Sequence, residues 1–168
     1  MKIQYPDIAV KIMAMVKLDQ EARAKFRKDG KVWDERVDTR NTRELRRITK
    51  KIGWPTRSKV GKRASHGACV LALHADSNRD FQHRCYLSMK SEKPPDVELR
   101  DVAHLEDRVR LRFGLRQTYG TQVKLVEGKY VPCPIEDPEN VSRRRKTMGL
   151  DTLRQNIARL NKNFPIKK

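Results

Sequence analysis

Arg116-Gln117-Thr118-Tyr119-Gly120-Thr121-Gln122 separates two kinds of periodicity in this chain. Upstream of it, apolar residues recur at helical spacing. Beyond it, Val123, Leu125, Tyr130 and Val131 flank Glu127-Gly128, the pattern of a β-hairpin. The segment itself holds two amides, two hydroxyls, a phenol and one glycine. A core strand does not need so many hydrogen-bonding groups at once, whereas a ligand-facing strand or turn does. Gln117, Tyr119, Thr121 and Gln122 are therefore candidate contacts in a site, with Tyr119 able to take part in chemistry.

Working outward, the remaining elements read as helices. Ile8, Ile12, Met15, Val16, Ala22 and Phe26 predict a helix over 7–28, with Asp19 and Arg23 four apart on the same side, an arrangement that reads as a partly exposed salt bridge. Lys28-Asp29-Gly30-Lys31 predicts a loop. A second helix is expected from Asn41, capped by its own side chain with Glu44 reaching back, to Ile52, stopped by Gly53 and Pro55. A third, rich in Gly and Ala, is expected from Ser58 or Lys59 to Ala75, its small residues permitting close approach of another helix. Further helices are expected over 78–91 (Phe81, Cys85 and Met89 inward) and 96–113 (Val102, Leu105 and Val109 inward), then a short one after Asn140 and a last one capped by Asp151. The expected fold is mainly α, a compact bundle of about six or seven helices with one small β-hairpin, in a single domain over residues 1–168.

The composition narrows the function classes. Only 37% of residues are hydrophobic and 36% are charged, but the apolar residues are periodic, which argues for a folded chain. No run of apolar residues is long enough to span a membrane, and the N-terminus lacks the apolar core of a signal peptide. Three widely spaced cysteines, Cys69, Cys85 and Cys133, suit reduced thiols in a cytoplasmic protein. The net charge is +18, and its placement is uneven: residues 23–63 carry a net +11, residues 139–168 a net +7, and residues 64–138 none. Two basic blocks around a neutral middle suit a nucleic acid or other polyanion partner, with Arg46, Arg47, Lys50 and Lys51 as candidate contacts; a merely solvated basic surface is the alternative.

Several clusters could carry chemistry. His74 and Asp76 lie at a helix C-terminus, where a protonated imidazole is favoured and general acid or base work or metal ligation is accessible; a structural hydrogen-bonding role is the competing reading. Asp107 and Arg108 point about 100° apart on their helix and so do not pair. His74, Asp76, Asp107 and Asp137 would suit a hard cation if the fold converged them. Of Arg143-Arg144-Arg145-Lys146, one or two can face inward, and arginine suits a bidentate grip on phosphate or carboxylate. There is no CxxC, GxxxxGK[ST], GxGxxG, GxSxG or HExxH, so no motif specifies a cofactor, a structural zinc or a common hydrolase.

Read in order, Asp19-Gln20 with Arg23, Gly53-Trp54-Pro55-Thr56, His74-Ala75-Asp76, Leu105 with Asp107-Arg108, Gln117 with Tyr119-Gly120-Thr121-Gln122, Pro134-Ile135-Glu136-Asp137 and Arg143-Arg144 with Met148-Gly149-Leu150 resemble a bacterial domain family of unassigned function, over roughly residues 15–155. The resemblance implies that Asp19, Arg23, His74, Asp76, Asp107, Arg108, Gln117, Tyr119, Gln122 and Arg144 share a pocket. The chain departs from the pattern in its strong basic charge and in Ser142, where an acidic residue is expected before the arginines.

Three functions compete. In an enzyme, His74 would be the acid or base, oriented by Asp76 or Asp107. Arg108 and Arg144 would hold an anion, Gln117, Tyr119 and Gln122 would read the substrate, and the reaction would be hydrolysis or transfer at a phosphate ester. In a non-catalytic nucleic-acid-binding protein, the motif residues would form a buried polar network. In a partner-binding accessory protein of toxin, immunity or phage type, small size and high charge would suffice.

Overall fold

The N-terminal apolar stripe forms α1 (Pro6–Asp29), which buries Ile12, Met15 and Asp19, three positions spaced to share one helical face. This computed structural model describes residues 2–29 and 33–163; of the expected loop Lys28-Asp29-Gly30-Lys31, Lys28 and Asp29 belong to α1, and Gly30 and Lys31 lie outside the described residues. After α1 come α2 (Glu35–Ile52), α3 (Arg57–Val60), α4 (Lys62–Leu73) and α5 (Arg79–Lys90), then α6 (Leu99–Arg112). The antiparallel pair β1 (Val123–Val126) and β2 (Lys129–Pro132) follows, then a 3₁₀ turn at Pro138–Asn140, α7 (Val141–Thr147) and α8 (Leu153–Asn163). The fold is mainly helical with one small hairpin. The chain divides into two compact units, Met1–Asp101 and Val102–Lys168.

In the first unit α4 packs against α1, α2, α3 and α5. Its small residues make this possible: Ala64, Ala68 and Ala72 are buried, and a Cβ placed on Gly67 would lie 2.9 Å from Val16 Cγ2 and 3.3 Å from Ile12 Cγ2. The expected continuous helix over 58–75 is two helices, because Gly61 has φ of +81° and breaks the α conformation between α3 and α4. Asp96 anchors the start of α3, accepting from Ser58 N and Ser58 Oγ, both at 2.6 Å.

Two expected caps give way to neighbours with the same chemistry. α2 starts six residues before Asn41: Asp34 is its N-cap and accepts from Arg36 N at 3.1 Å. Asn41 is instead buried within α2, and among the described residues neither its Nδ2 nor its Oδ1 has a hydrogen-bond partner. At α8 the cap is Thr152 and not Asp151. Gln155 N donates to Thr152 Oγ1 at 3.2 Å while Thr152 N donates to Gln155 Oε1 at 3.0 Å, a reciprocal box. Asp151 pairs with Arg159. Phe26, expected inward, is 41% exposed and meets the ring of Trp33 edge-on at 5.7 Å.

In the second unit the hairpin pairs Val123 with Pro132 and Val126 with Lys129. Glu127 and Gly128 both have positive φ, 49° and 78°, as a two-residue turn matched to strand twist requires. α6 buries Val102, Leu105 and Val109 as its spacing predicts. The cysteines are free; Cys69 and Cys85 are buried and Cys133 half-buried.

Gly67→Ala sets helix propensity, worth about 1 kcal/mol, against overpacking of the stiff branched side chains Val16 and Ile12, which costs about 1–3 kcal/mol. The expected outcome is net destabilisation, read as a lower urea midpoint at unchanged m-value. A stabilised variant would show that α1 can withdraw freely from α4.

Candidate active site

Three helices of the first unit converge on one buried carboxylate. Asp19 is fully buried on α1. Arg23, one turn on, places Nε at 3.2 Å from both Asp19 oxygens. His74, the residue that ends α4, places Nδ1 at 3.1 Å from Asp19 Oδ1 and 3.0 Å from Oδ2. Gln20 Nε2 donates to Asp19 Oδ2 at 2.8 Å. Arg23 extends to the first turn of α2, where its Nη2 donates to Asp38 Oδ1 at 2.6 Å. Trp33 Nε1 donates to the other Asp38 oxygen at 2.9 Å, and the Trp33 ring covers the Arg23 guanidinium at 4.5 Å. Trp33 also walls an adjoining apolar cleft of about 250 Å³ with Phe26 and Val37.

Arg23 Nε also lies 3.0 Å from His74 Nδ1, but its single N–H cannot serve both acceptors fully. A bare Nδ1 would turn its lone pair toward the Asp19 carboxylate. The charge-assisted alternative is stronger: Nδ1 carries the proton and donates to Asp19, and Arg23 Nε–H donates to the same carboxylate. Nε2 is then the basic nitrogen of the neutral ring. Burial pushes the Asp19 carboxyl up; the hydrogen bond and charge of His74, then the charge and hydrogen bond of Arg23, outweigh it and hold it below its ordinary value.

Asp19, Asp38 and His74 bring ligand atoms within 4.8 Å of one another, the group among the described residues with the donors for a metal ion. Arg23, hydrogen-bonded to both carboxylates, already supplies positive charge there, so an ion would have to displace its guanidinium.

A second cluster occupies the second unit. The segment 116–122 is a turn folded over Asp107, and its backbone points inward: Thr118 N (2.6 Å), Tyr119 N (3.0 Å) and Thr121 N (2.9 Å) donate to the Asp107 carboxylate, as does Thr121 Oγ1 (2.9 Å). Burial raises the Asp107 pKa, and the donors from Thr121, Tyr119 and Thr118 offset it only in part. Gln117, fully buried, donates from Nε2 to Gln122 O and Cys133 O and accepts from Gln122 N at Oε1. Arg108 Nη1 reaches Gln122 Oε1 at 3.3 Å. Arg144 ties α7 to Thr118 O, Glu136 O and the Asp137 carboxylate, the last at 3.0 Å. Asp137 thus supplies the acidic partner that Ser142 does not. Arg145, 2% exposed, donates to Tyr119 O at 2.7 Å and Asp151 O at 2.6 Å.

A model of the family of unknown function DUF6624 matches residues 6–168. The chain belongs to that family. No curated protein and no solved structure matches it. Within this DUF6624 chain, the structure brings Asp19, Arg23 and His74 together in one unit, and Asp107, Arg108, Gln117, Thr121, Gln122 and Arg144 in the other, with the Tyr119 backbone at Asp107. The carboxylate on His74 is Asp19, where the sequence pointed to Asp76 or Asp107. Asp76, half-buried beyond α4, receives a long 3.5 Å contact from Gln82 Nε2. Arg46, Arg47, Lys50 and Lys51 are exposed along α2. Sequence reasoning missed Trp33, Asp38 and Arg145. Placing the start of α2 at Asn41 left 33–40 outside any element; Asp34 as a cap puts Asp38 on a helical face.

Asp19→Asn removes the charge that Arg23 and His74 both answer and should cost about 3 kcal/mol near neutral pH, measured by urea unfolding. A carboxylate with a depressed folded pKa adds stability above its unfolded pKa, about 4, and loses it as pH falls through the folded value. The gap between wild type and variant should therefore shrink in acid; a gap independent of pH would contradict the pairing. Asp107→Asn turns an amide N–H₂ toward inward-pointing N–H donors and should cost at least about 2 kcal/mol by the same measurement.

Proposed function

We propose that the protein is an enzyme in which His74 moves a proton, acting on a phosphate-bearing or nucleic-acid substrate by hydrolysis or group transfer. The observation that carries this reading is the Nδ1 contact between His74 and the fully buried Asp19. A buried carboxylate on Nδ1 fixes the tautomer and stabilises the imidazolium, so that Nε2 can take a proton from a nucleophile and return it to a leaving group. Arg23 fixes Asp19 in turn, and its Nη1 has no hydrogen-bond partner among the described residues, which leaves N–H donors for an anionic oxygen. The two basic blocks support an anionic substrate. The three free cysteines support a reducing, cytoplasmic setting.

A second reading has its own support. Asp19, Arg23, Asp38 and Trp33 hydrogen-bond or stack on one another, as in a polar network that fixes α1, α2 and α4 without catalysis, beside a basic surface that binds nucleic acid.

His74→Asn separates the two. Asparagine Nδ2 falls near the Nδ1 position and keeps a donor for Asp19, while the basic Nε2 is lost. Against a panel of aryl phosphomonoesters, phosphodiesters and RNA, the enzyme reading expects wild-type turnover that falls by about 10² or more in the variant, at a melting temperature close to wild type. Full turnover in His74→Asn would overturn the assignment of His74.

A further inference from the structure

A groove of about 340 Å³ in the first unit is walled by Arg46, Thr49 and Lys50 of α2 and by Phe81, Arg84 and Ser88 of α5. Among the described residues Arg46, Lys50 and Arg84 form no salt bridge, whereas nearby Arg47 and Lys11 both engage Glu44. Three unneutralised cations around one concavity repel each other and attract an anion. Arg46 is also positioned in advance, its guanidinium 5.1 Å from the centre of the buried Phe81 ring. The Ser88 hydroxyl adds a donor suited to a phosphate oxygen, whereas the Thr49 hydroxyl already donates to Arg46 O at 3.1 Å. The Phe81 face is covered by Arg46, so the groove offers charge and a hydroxyl but no ring for a base to stack on.

We propose that this groove binds the phosphodiester backbone of a nucleic acid strand, independently of sequence. A strand suits it better than a lone phosphate because the cations continue beyond the groove. Arg43 and Lys51 are exposed on α2 with Arg47, engaged by Glu44, between them, so cationic side chains recur every four residues, about 6 Å apart along the axis. The inference names residues apart from the His74 cluster and stands whether or not His74 is catalytic.

The test is fluorescence anisotropy with labelled oligothymidine and a labelled duplex over a salt series. One triple variant, Arg46→Ala, Lys50→Ala and Arg84→Ala, is compared with a control of equal charge change, Lys124→Ala, Lys129→Ala and Lys162→Ala, all exposed in the second unit. Circular dichroism confirms that both retain helix. The groove variant should lose about tenfold or more in affinity and reduce the slope of log K against log salt by about 2 to 3, one per lost phosphate contact; the control should stay within about threefold. Equal losses in the two triples would overturn the groove as the site. So would the absence of wild-type binding to either oligonucleotide at low salt, or tighter binding to pyrophosphate or anionic lipid vesicles than to the oligonucleotides. The acid–base reading is judged separately, by turnover of His74→Asn.

Discussion

A carboxylate withdrawn from water has to be met by positive charge or by N–H dipoles, and Asp19 imposes that requirement on the first unit. The uncompensated penalty is several kcal/mol. Only the joint arrival of Arg23 and His74 removes it, so α1 and α4 are held in one relative position. Arg23 then carries the constraint to Asp38, and Trp33 closes over the guanidinium. The absence of a Cβ at Gly67 lets α1 lie close on α4 at Val16 and Ile12, one and two helical turns before Asp19 on the same helix.

The second unit answers the same requirement differently. Asp107 meets the backbone amides of 118, 119 and 121 and one hydroxyl, dipoles in place of ions. The two carboxyls accordingly shift in opposite directions, Asp19 down and Asp107 up, because full charges overcome desolvation and dipoles offset it only in part. Acid therefore weakens the contribution of Asp19, while rising pH through the Asp107 range weakens that of Asp107.

Much of this was legible in the residues. Periodicity located the helices and the hairpin because burial selects one face of each element, and Gly53, Glu127-Gly128 and Pro55 punctuate them. The family resemblance grouped Asp19, His74, Asp107 and Gln117, which the structure distributes as one cluster in each unit. Pattern alone could not say which atoms they use. The run 116–122 looks like a ligand-reading surface because its side chains are polar, yet what Asp107 receives is chiefly its main chain, which has no signature in sequence. Arg145 was hidden for a related reason: four consecutive cations look alike until the helix decides which one turns to the Tyr119 carbonyl. Two caps were misplaced by one or several residues because Asn41 and Asp151 share their chemistry with the true caps, Asp34 and Thr152.

The three thiols differ sharply in reach. Burial pushes Cys85 up to about 12 and Cys69 well above its ordinary value, so neither offers thiolate near neutral pH. Cys133 is half-buried at the end of the hairpin, its N–H on Gln122 O and its carbonyl receiving Gln117 Nε2 at 2.7 Å. A maleimide dye or spin label added to the native chain therefore lands beside the turn that wraps Asp107, giving a spectroscopic reporter on that turn without any engineered cysteine.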